Sequence, residues 1–453
     1  MQMKTNTIKF FKEICKIPHG SFNEQQLAEY LCDFAKERNL EFYKDEHNNV
    51  LIKKKTAEKE PLILQAHTDM VCVKLDDKAF DFKTDAIEVI EENGFLKANG
   101  TTLGADNGIG VAQILNILDS DIPCNIEALF TAEEEVTMNG AEQFDVSLLK
   151  GKNLLSLDGF SENTIIIESA SFTDIVLKRD FDFVKNENKN VFKITLTGLI
   201  GGHSGFDITK NRGNAIILLA SLLKRLNNIN IADFNGGVDF NVIPSSAYCV
   251  FSTDLDRNQI EEILKAFPTL NFSLDHIQNT TDYEVLSNIN STNFIDMIHN
   301  IKNEVHYTNE SLDPTTSSNL GVVNLKDDKI IKIGLRSSKE LERKEITDYF
   351  EKYALDNNFS YIVKGHQPGF ESDKNSNLIK KLEATSNIEY YKKKPILKSV
   401  HISVEIGIFK AKMPDIDVAI ISPNIQNAHS PSECVEIASV HAMDEWLIKL
   451  IKL

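Results

Sequence analysis

Four short apolar runs constrain this chain more than any other feature: "PLILQA" from Pro61, "NIEALFTA" from Asn125, "NLLSLD" from Asn153 and "IDVAIIS" from Ile416. Each is shorter than an ordinary helix and too continuous for a strand with one face in water. Such runs read as strands covered on both faces. Helical periodicity lies between them. "NEQQLAEYLCDFAKERN" places Leu27, Leu31 and Phe34 on one face with Asn23 as N-cap, "IGVAQILNIL" forms another helix, and a closing helix contains Trp446. Strands alternating with helices predict an α/β fold around a mostly parallel sheet.

The middle of the chain changes character. From about residue 188, "KNVFKITLTG" and, more loosely, "NVIPSSAYCVFSTDL" alternate apolar and polar residues, as half-exposed strands do, with the helical "NAIILLASLLKRL" between them. Asn-rich segments around 276–293 and 306–318 read as loops. Past "KGHQPGFESDKNSN" the first pattern returns. The reading is therefore one α/β catalytic domain in two parts, 1–187 and 369–453, interrupted by an inserted α+β domain at 188–368.

Composition narrows the function classes. A net charge of -18 disfavours nucleic acid and anionic membrane surfaces as partners. The start, "MQMKTNTIKFFKEICKIP", lacks the apolar core of a signal peptide, and "AIILLASLL" from Ala215 is about half a membrane span. The six cysteines are scattered, without a C-x-x-C pair, as in a reducing compartment. A cytoplasmic location is expected, and any metal site must use His and carboxylates.

The buried runs end in ionisable residues, where an α/β sheet presents its ligand sites. "LILQAHTDM" delivers His67 and Asp69, "FTAEEEV" delivers Glu133 to Glu135, and "LLSLDG" delivers Asp158. "TTLGADNGIG" puts Asp106 in a Gly-flanked loop opening a helix, and "IISPNIQNAHSPSE" presents His429. Singly, each has a plainer reading as a helix cap, a turn residue or a solvated charge. Their concurrence in one sheet, offering only imidazole and carboxylate, suits zinc or a similar ion. Two histidines with three carboxylates exceed one open catalytic site and suit two ions sharing a carboxylate. Asp69 would orient the His67 ring from behind. Adjacent glutamates can divide the remaining work, one binding metal and one serving as base.

In eight stretches the chain resembles the di-zinc metallopeptidases that include carnosinase, aminoacylase and glutamate carboxypeptidase. Within that family it is most similar to the bacterial Xaa-His dipeptidases. The stretches are "FKEICKIPHGSFNE", "AHTDMV", "TTLGADNGIG", "EEVTMNGA", "GLIGGHSGFDITKNRGNA", "SSNLGVVN", "HISVEIGIF" and "AHSPSE", in the family's order from Phe11 to Glu433. The resemblance implies a zinc-exopeptidase-like catalytic domain interrupted by a lid. His67 and Glu135 would each bind one end of a metal pair, Asp106 would bridge, and Asp158 and His429 would complete the two shells. Asp69 would stand behind His67. Aligned on Gly140 and Ala141, the family's Glu-Glu pair falls on Glu134 and Glu135, so Glu134 would be the base acting on a bridging, metal-activated water. In the lid, His203 would stabilise the oxyanion, Asn241 and Arg336 would hold substrate, and His401 and Glu405 would line the substrate pocket.

The implied function is hydrolysis of Xaa-His dipeptides of the β-Ala-His type. The alternatives are an N-acyl amino acid deacylase of the same family and a non-catalytic homologue. Zinc is the expected ion, with manganese and cobalt accepted by the same ligands. A homodimer through the lid is left open, with His203 serving its own or a partner's site. Two departures from the family pattern, Thr137 in place of Gly and "DGFSEN" after the fourth ligand, fall in loops beside the ligands.

Overall fold

In the computed structural model, which describes residues 6–277, 283–388, 390, 391 and 393–453, the four apolar runs lie side by side. Leu62–His67 pairs in parallel with Asn125–Thr131 on one side and Asn153–Ser156 on the other, and Asn153–Ser156 pairs in parallel with Asp417–Ile420. All residues of Leu62–His67 except Leu62 are buried, which is why the run carries no alternation. Outward from this centre the sheet turns antiparallel, through Val50–Lys55 and Glu41–Lys44 on one flank and Thr164–Ser169 and Phe370–Glu371 on the other. Ile396–Val400 adds a ninth strand, paired in parallel with Thr164–Ser169, so the described strands make a mixed sheet with a parallel centre.

Helices supply the rest of this core. Gln25–Glu37, Ala105–Asp119, Asn377–Thr385 and Ile437–Lys452 bring Leu27, Leu31, Ile109, Leu115, Leu382 and Trp446 against Leu64, Phe130 and Ala419 of the strands. The Trp446 indole N–H donates to the Leu382 carbonyl at 3.0 Å, so its only polar atom is satisfied inside the core. Asn23 is not the N-cap of Gln25–Glu37. Glu24 occupies that position without a side-chain cap bond.

The chain divides into two compact units. One comprises the described residues of Met1–Ser169, Phe370–Val400 and Val404–Leu453; the other comprises Ala170–Gly369 and His401–Ser403. The insert therefore starts at Ala170, not at 188. The reason is Ser171–Lys178, an alternating strand that pairs with Ile330–Ser337 and Ser360–Gln367 inside the second unit. The "HISVEIG" stretch is split, with His401 in the second unit and Glu405 in the first.

Among the described residues, the second unit is built on a nine-stranded antiparallel sheet. Ala215–Leu223, Asn288–Asn300 and Glu340–Asp356 pack Leu219, Leu223, Phe294, Ile298 and Phe350 onto Phe192, Phe234 and Phe251. Two segments expected as loops are partly regular. Asn288–Asn300 is a helix capped by the Ser287 hydroxyl, and Val305–Thr308 and Pro314–Asn324 are paired strands. Asparagine favours neither state locally, and the burial of Phe294, Ile295 and Ile298 overrides that preference. Residues 278–282 of the first segment lie outside the described residues. Among the described residues, no helix is long and apolar enough to cross a membrane.

Candidate metal centre

The parallel strands deliver their chemistry at their C-terminal ends. His67 is the last residue of Leu62–His67, Asp158 follows Asn153–Ser156 by two positions, and the glutamate triplet follows Asn125–Thr131. Asp106 stands at the start of Ala105–Asp119 with non-helical dihedrals, and His429 holds a left-handed φ of 63° in its loop.

These side chains meet around Asp106, whose two oxygens face different neighbours. Oδ1 lies 3.2 Å from His67 Nε2, and that nitrogen is 3.7 Å from Asp158 Oδ1. Oδ2 lies 3.0 Å from His429 Nε2, which is 3.1 Å from Glu135 Oε1. His67, Asp158, Asp106, His429 and Glu135 thus form two groups with Asp106 common to both. Ligand atoms of His67, Asp106 and Glu135 lie within 4.8 Å of one another. His67 Nδ1 donates to the Asp69 carbonyl oxygen at 3.0 Å, which aims Nε2 at the cluster. The Asp69 carboxylate is farther, at 3.4 Å.

That carboxylate has another task. Its Oδ1 accepts the Glu134 N–H at 2.9 Å, and its Oδ2 accepts the Glu135 N–H at 3.1 Å and the Ser21 hydroxyl at 2.7 Å. Two successive amides converging on one carboxylate fix the backbone of the triplet. Glu133 makes the turn, with a φ of 60° and a carbonyl that accepts the amides of Thr137 and Met138. Thr137 itself hydrogen-bonds the Glu133 side chain at 2.8 Å. Glu134 lies among the same acids. Burial raises its pKa well above the ordinary value, and Asp158, Glu135 and Glu405 add to the rise against the opposing His67.

The donor set fits a divalent metal pair. Burial pushes the Asp158 carboxyl up to about 6 despite His67, and pushes Glu135 up to about 7, with the Asp106 charge adding to each. Asp106 stays low, because hydrogen bonds from His429 and His67 outweigh its burial. Carboxylates crowded this closely out of water either take up protons or gather positive charge, and a divalent cation would supply that charge; nitrogen and oxygen donors suit zinc, manganese or cobalt.

Several contributors sit inside the motif stretches, and of these the sequence assigns a role to Glu405 alone. Asn107 Nδ2 donates to Asp158 Oδ1 at 3.0 Å, and the buried Glu433 accepts backbone amides next to Asp106. Gln65 and Thr131 each donate to Glu405 Oε2 at 2.6 Å. Glu405 Oε1 is buried without a hydrogen-bond partner among the described residues.

In the second unit, Arg336 is buried, its Nε donating to Ser204 Oγ at 3.2 Å and its Nη2 lying 3.4 Å from His203 Nε2. The guanidinium lies over the Phe172 ring, 4.3 Å from the centroid. The Asn241 carbonyl accepts the Ser204 N–H at 2.8 Å, which brings Asn241 beside the same group. His401 Nε2 is 2.7 Å from Ser317 Oγ.

Residues 63–453 match the model of peptidase family M20/M25/M40. The cytosol non-specific dipeptidase of Escherichia coli (strain K12) is 33% identical over 470 residues, covering 98% of this chain and 96% of that protein. The crystal structure of aminoacylhistidine dipeptidase from Vibrio alginolyticus matches with a TM-score of 0.81 at 30% identity, over 98% of this chain and 96% of that one. Human carnosine dipeptidase 1 shares the fold, with a TM-score of 0.52 at 13% identity over 99% of this chain and 96% of that one.

Proposed function

The chain belongs to peptidase family M20/M25/M40, and from that premise we propose that it hydrolyses unblocked dipeptides of the Xaa-His, β-Ala-His-like type. The observation that carries the proposal is the division of the Asp106 oxygens between a His67–Asp158 group and a His429–Glu135 group. We assign these five residues to a pair of divalent ions, most simply zinc. When bound, the ions would supply Lewis-acid activation of water and of the scissile carbonyl.

The chain's own residues supply the proton transfers and the orientation. Glu134, its backbone held by Asp69, takes the proton of the attacking water and returns it to the leaving amine. Asp69 holds Glu134 and Glu135 in register. Glu405 Oε1, buried and without a hydrogen-bond partner among the described residues, suits the ammonium of a free N-terminus. From the second unit, which we assign to the lid, His203 is the oxyanion donor, and Asn241 and Arg336 hold substrate. The Arg336 guanidinium suits a C-terminal carboxylate. His401 is assigned to lining the substrate pocket.

A cytoplasmic location is supported by the free state of all six cysteines and by the cytosolic relative in Escherichia coli. A homodimer through the second unit belongs to the same proposal, and sedimentation equilibrium reads it out.

The deciding experiment is a panel of dipeptides, varied at both residues, against N-acetyl amino acids on metal-reconstituted protein. Hydrolysis of β-Ala-His and related unblocked dipeptides is expected. Turnover confined to N-acetyl amino acids would identify a deacylase instead.

A further inference from the structure

We infer that Glu433 is a positioning residue that sets Asp106 against His429, an inference that rests on reading the sheet-end cluster as a metal centre. Its Oε2 accepts the amides of Leu103 at 2.8 Å and Gly104 at 3.0 Å, and its Oε1 accepts those of Ala105 at 2.8 Å and Asp106 at 3.2 Å. Four consecutive N–H groups therefore converge on one carboxylate that is 2% exposed. Gly104, with a φ of +71°, makes the turn that aims them inward. A Cβ there would also meet Met70 Sδ at 2.9 Å.

The same carboxylate belongs to the loop that carries His429. The Glu433 N–H donates to the Ser430 carbonyl at 3.0 Å, closing a turn just after His429. One short segment thus supplies His429, which meets Asp106 Oδ2 at 3.0 Å, and the anchor of the backbone bearing Asp106. A carboxylate suits the place, because amides at a helix start lack intrahelical acceptors and their summed dipole favours negative charge. Glutamine would present one oxygen and one NH₂ group to the same four donors. Two amides would then face another donor, and the backbone at Asp106 would shift. Since Asp106 faces both groups of candidate ligands, that shift would weaken both ions together.

A purely structural role, capping Ala105–Asp119, predicts something else. Lys54 holds the opposite end of that helix, its Nζ donating to Ile117 O at 3.0 Å, to Leu118 O at 3.2 Å and to Ser120 O. Lys54→Met loosens the helix without touching Asp106.

The test uses the full chain stripped of metal, with Zn²⁺ titrated calorimetrically into wild type, Glu433→Gln, Glu433→Asp and Lys54→Met. The unfolding temperature of each metal-free protein is measured alongside. Wild type is expected to bind two ions per chain. Both Glu433 variants should bind both ions about 10–100-fold more weakly. Lys54→Met should keep wild-type affinity despite a lowered unfolding temperature. Should Glu433→Gln fail to fold, Glu433→Asp, which keeps the charge and shortens its reach, decides alone. Wild-type affinity in the Glu433 variants, or loss of affinity in Lys54→Met in step with them, overturns the inference. Fewer than two ions in wild type would refute the metal-centre reading beneath it.

Discussion

Asp69 shows how one side chain can act through the backbone. Its motif suggested a carboxylate behind His67, yet the nearer partner of the His67 ring is the Asp69 carbonyl, and the carboxylate grips the amides of Glu134 and Glu135. An asparagine at 69 can accept only one of those amides well. Asp69→Asn is therefore expected to lower kcat and to weaken metal binding about 10–100-fold, read by steady-state kinetics together with metal content. Glu134→Ala should leave metal content intact and cut turnover by about 10²–10⁴-fold. Undiminished peptidase activity would remove Glu134 from its role. Residue identity at the strand ends was legible in the sequence, because ionisable groups next to apolar runs stand out. Glu433 was not, because its partners lie 327 to 330 positions away and are backbone amides without side-chain signature.

Among elements, the loop after Asn125–Thr131 depends on close packing. Gly140 faces the start of that loop, where a Cβ would meet the Ala132 carbonyl oxygen at 2.2 Å, the Ala132 nitrogen at 2.8 Å and Asn49 Oδ1 at 2.7 Å. The neighbours are mostly backbone, so the loop must move. Gly140→Ala is expected to cost about 1–3 kcal/mol, as overpacking does, and to reduce activity with the triplet displaced. A urea-unfolding midpoint equal to wild type would contradict this. Apolar runs announced the central strands, since burial on both faces leaves no polar alternation to misread. Ser171–Lys178 and Asn288–Asn300 were misplaced for the opposite reason: sheet pairing and the burial of a few large side chains decide their state, not local preference.

For the whole molecule, the two units respond differently to solution conditions. In the first, chelation leaves crowded carboxylates without compensating charge, so the unfolding temperature should fall on metal removal and recover when Zn²⁺ is restored. An ion at about 1,000 times its Kd contributes about 4 kcal/mol. In the second, burial pushes His401 down to about 3 and His306 down to about 4, with Arg336 and Lys302 respectively adding to the effect. Unfolded imidazoles take up protons below a pH of about 6.5, where these folded ones do not. The unfolded state then binds more protons, and stability falls as pH drops from about 6.5 toward 4. His401→Gln should flatten that dependence in urea midpoints measured across the interval, and an unchanged slope would exclude His401 as a contributor.

By itself, the sequence determined the α/β architecture and the stock of imidazoles and carboxylates at the sheet ends. Hydrophobic periodicity and strand-end chemistry are local and survive in one dimension. Only the tertiary structure decided which oxygen of Asp106 faces which histidine, that Asp69 grips the glutamate backbone, where the second unit begins, and that Glu433 anchors four amides from across the chain. Those facts depend on the approach of distant backbone segments, and a hydrogen bond to a main-chain amide leaves no residue type behind to mark it.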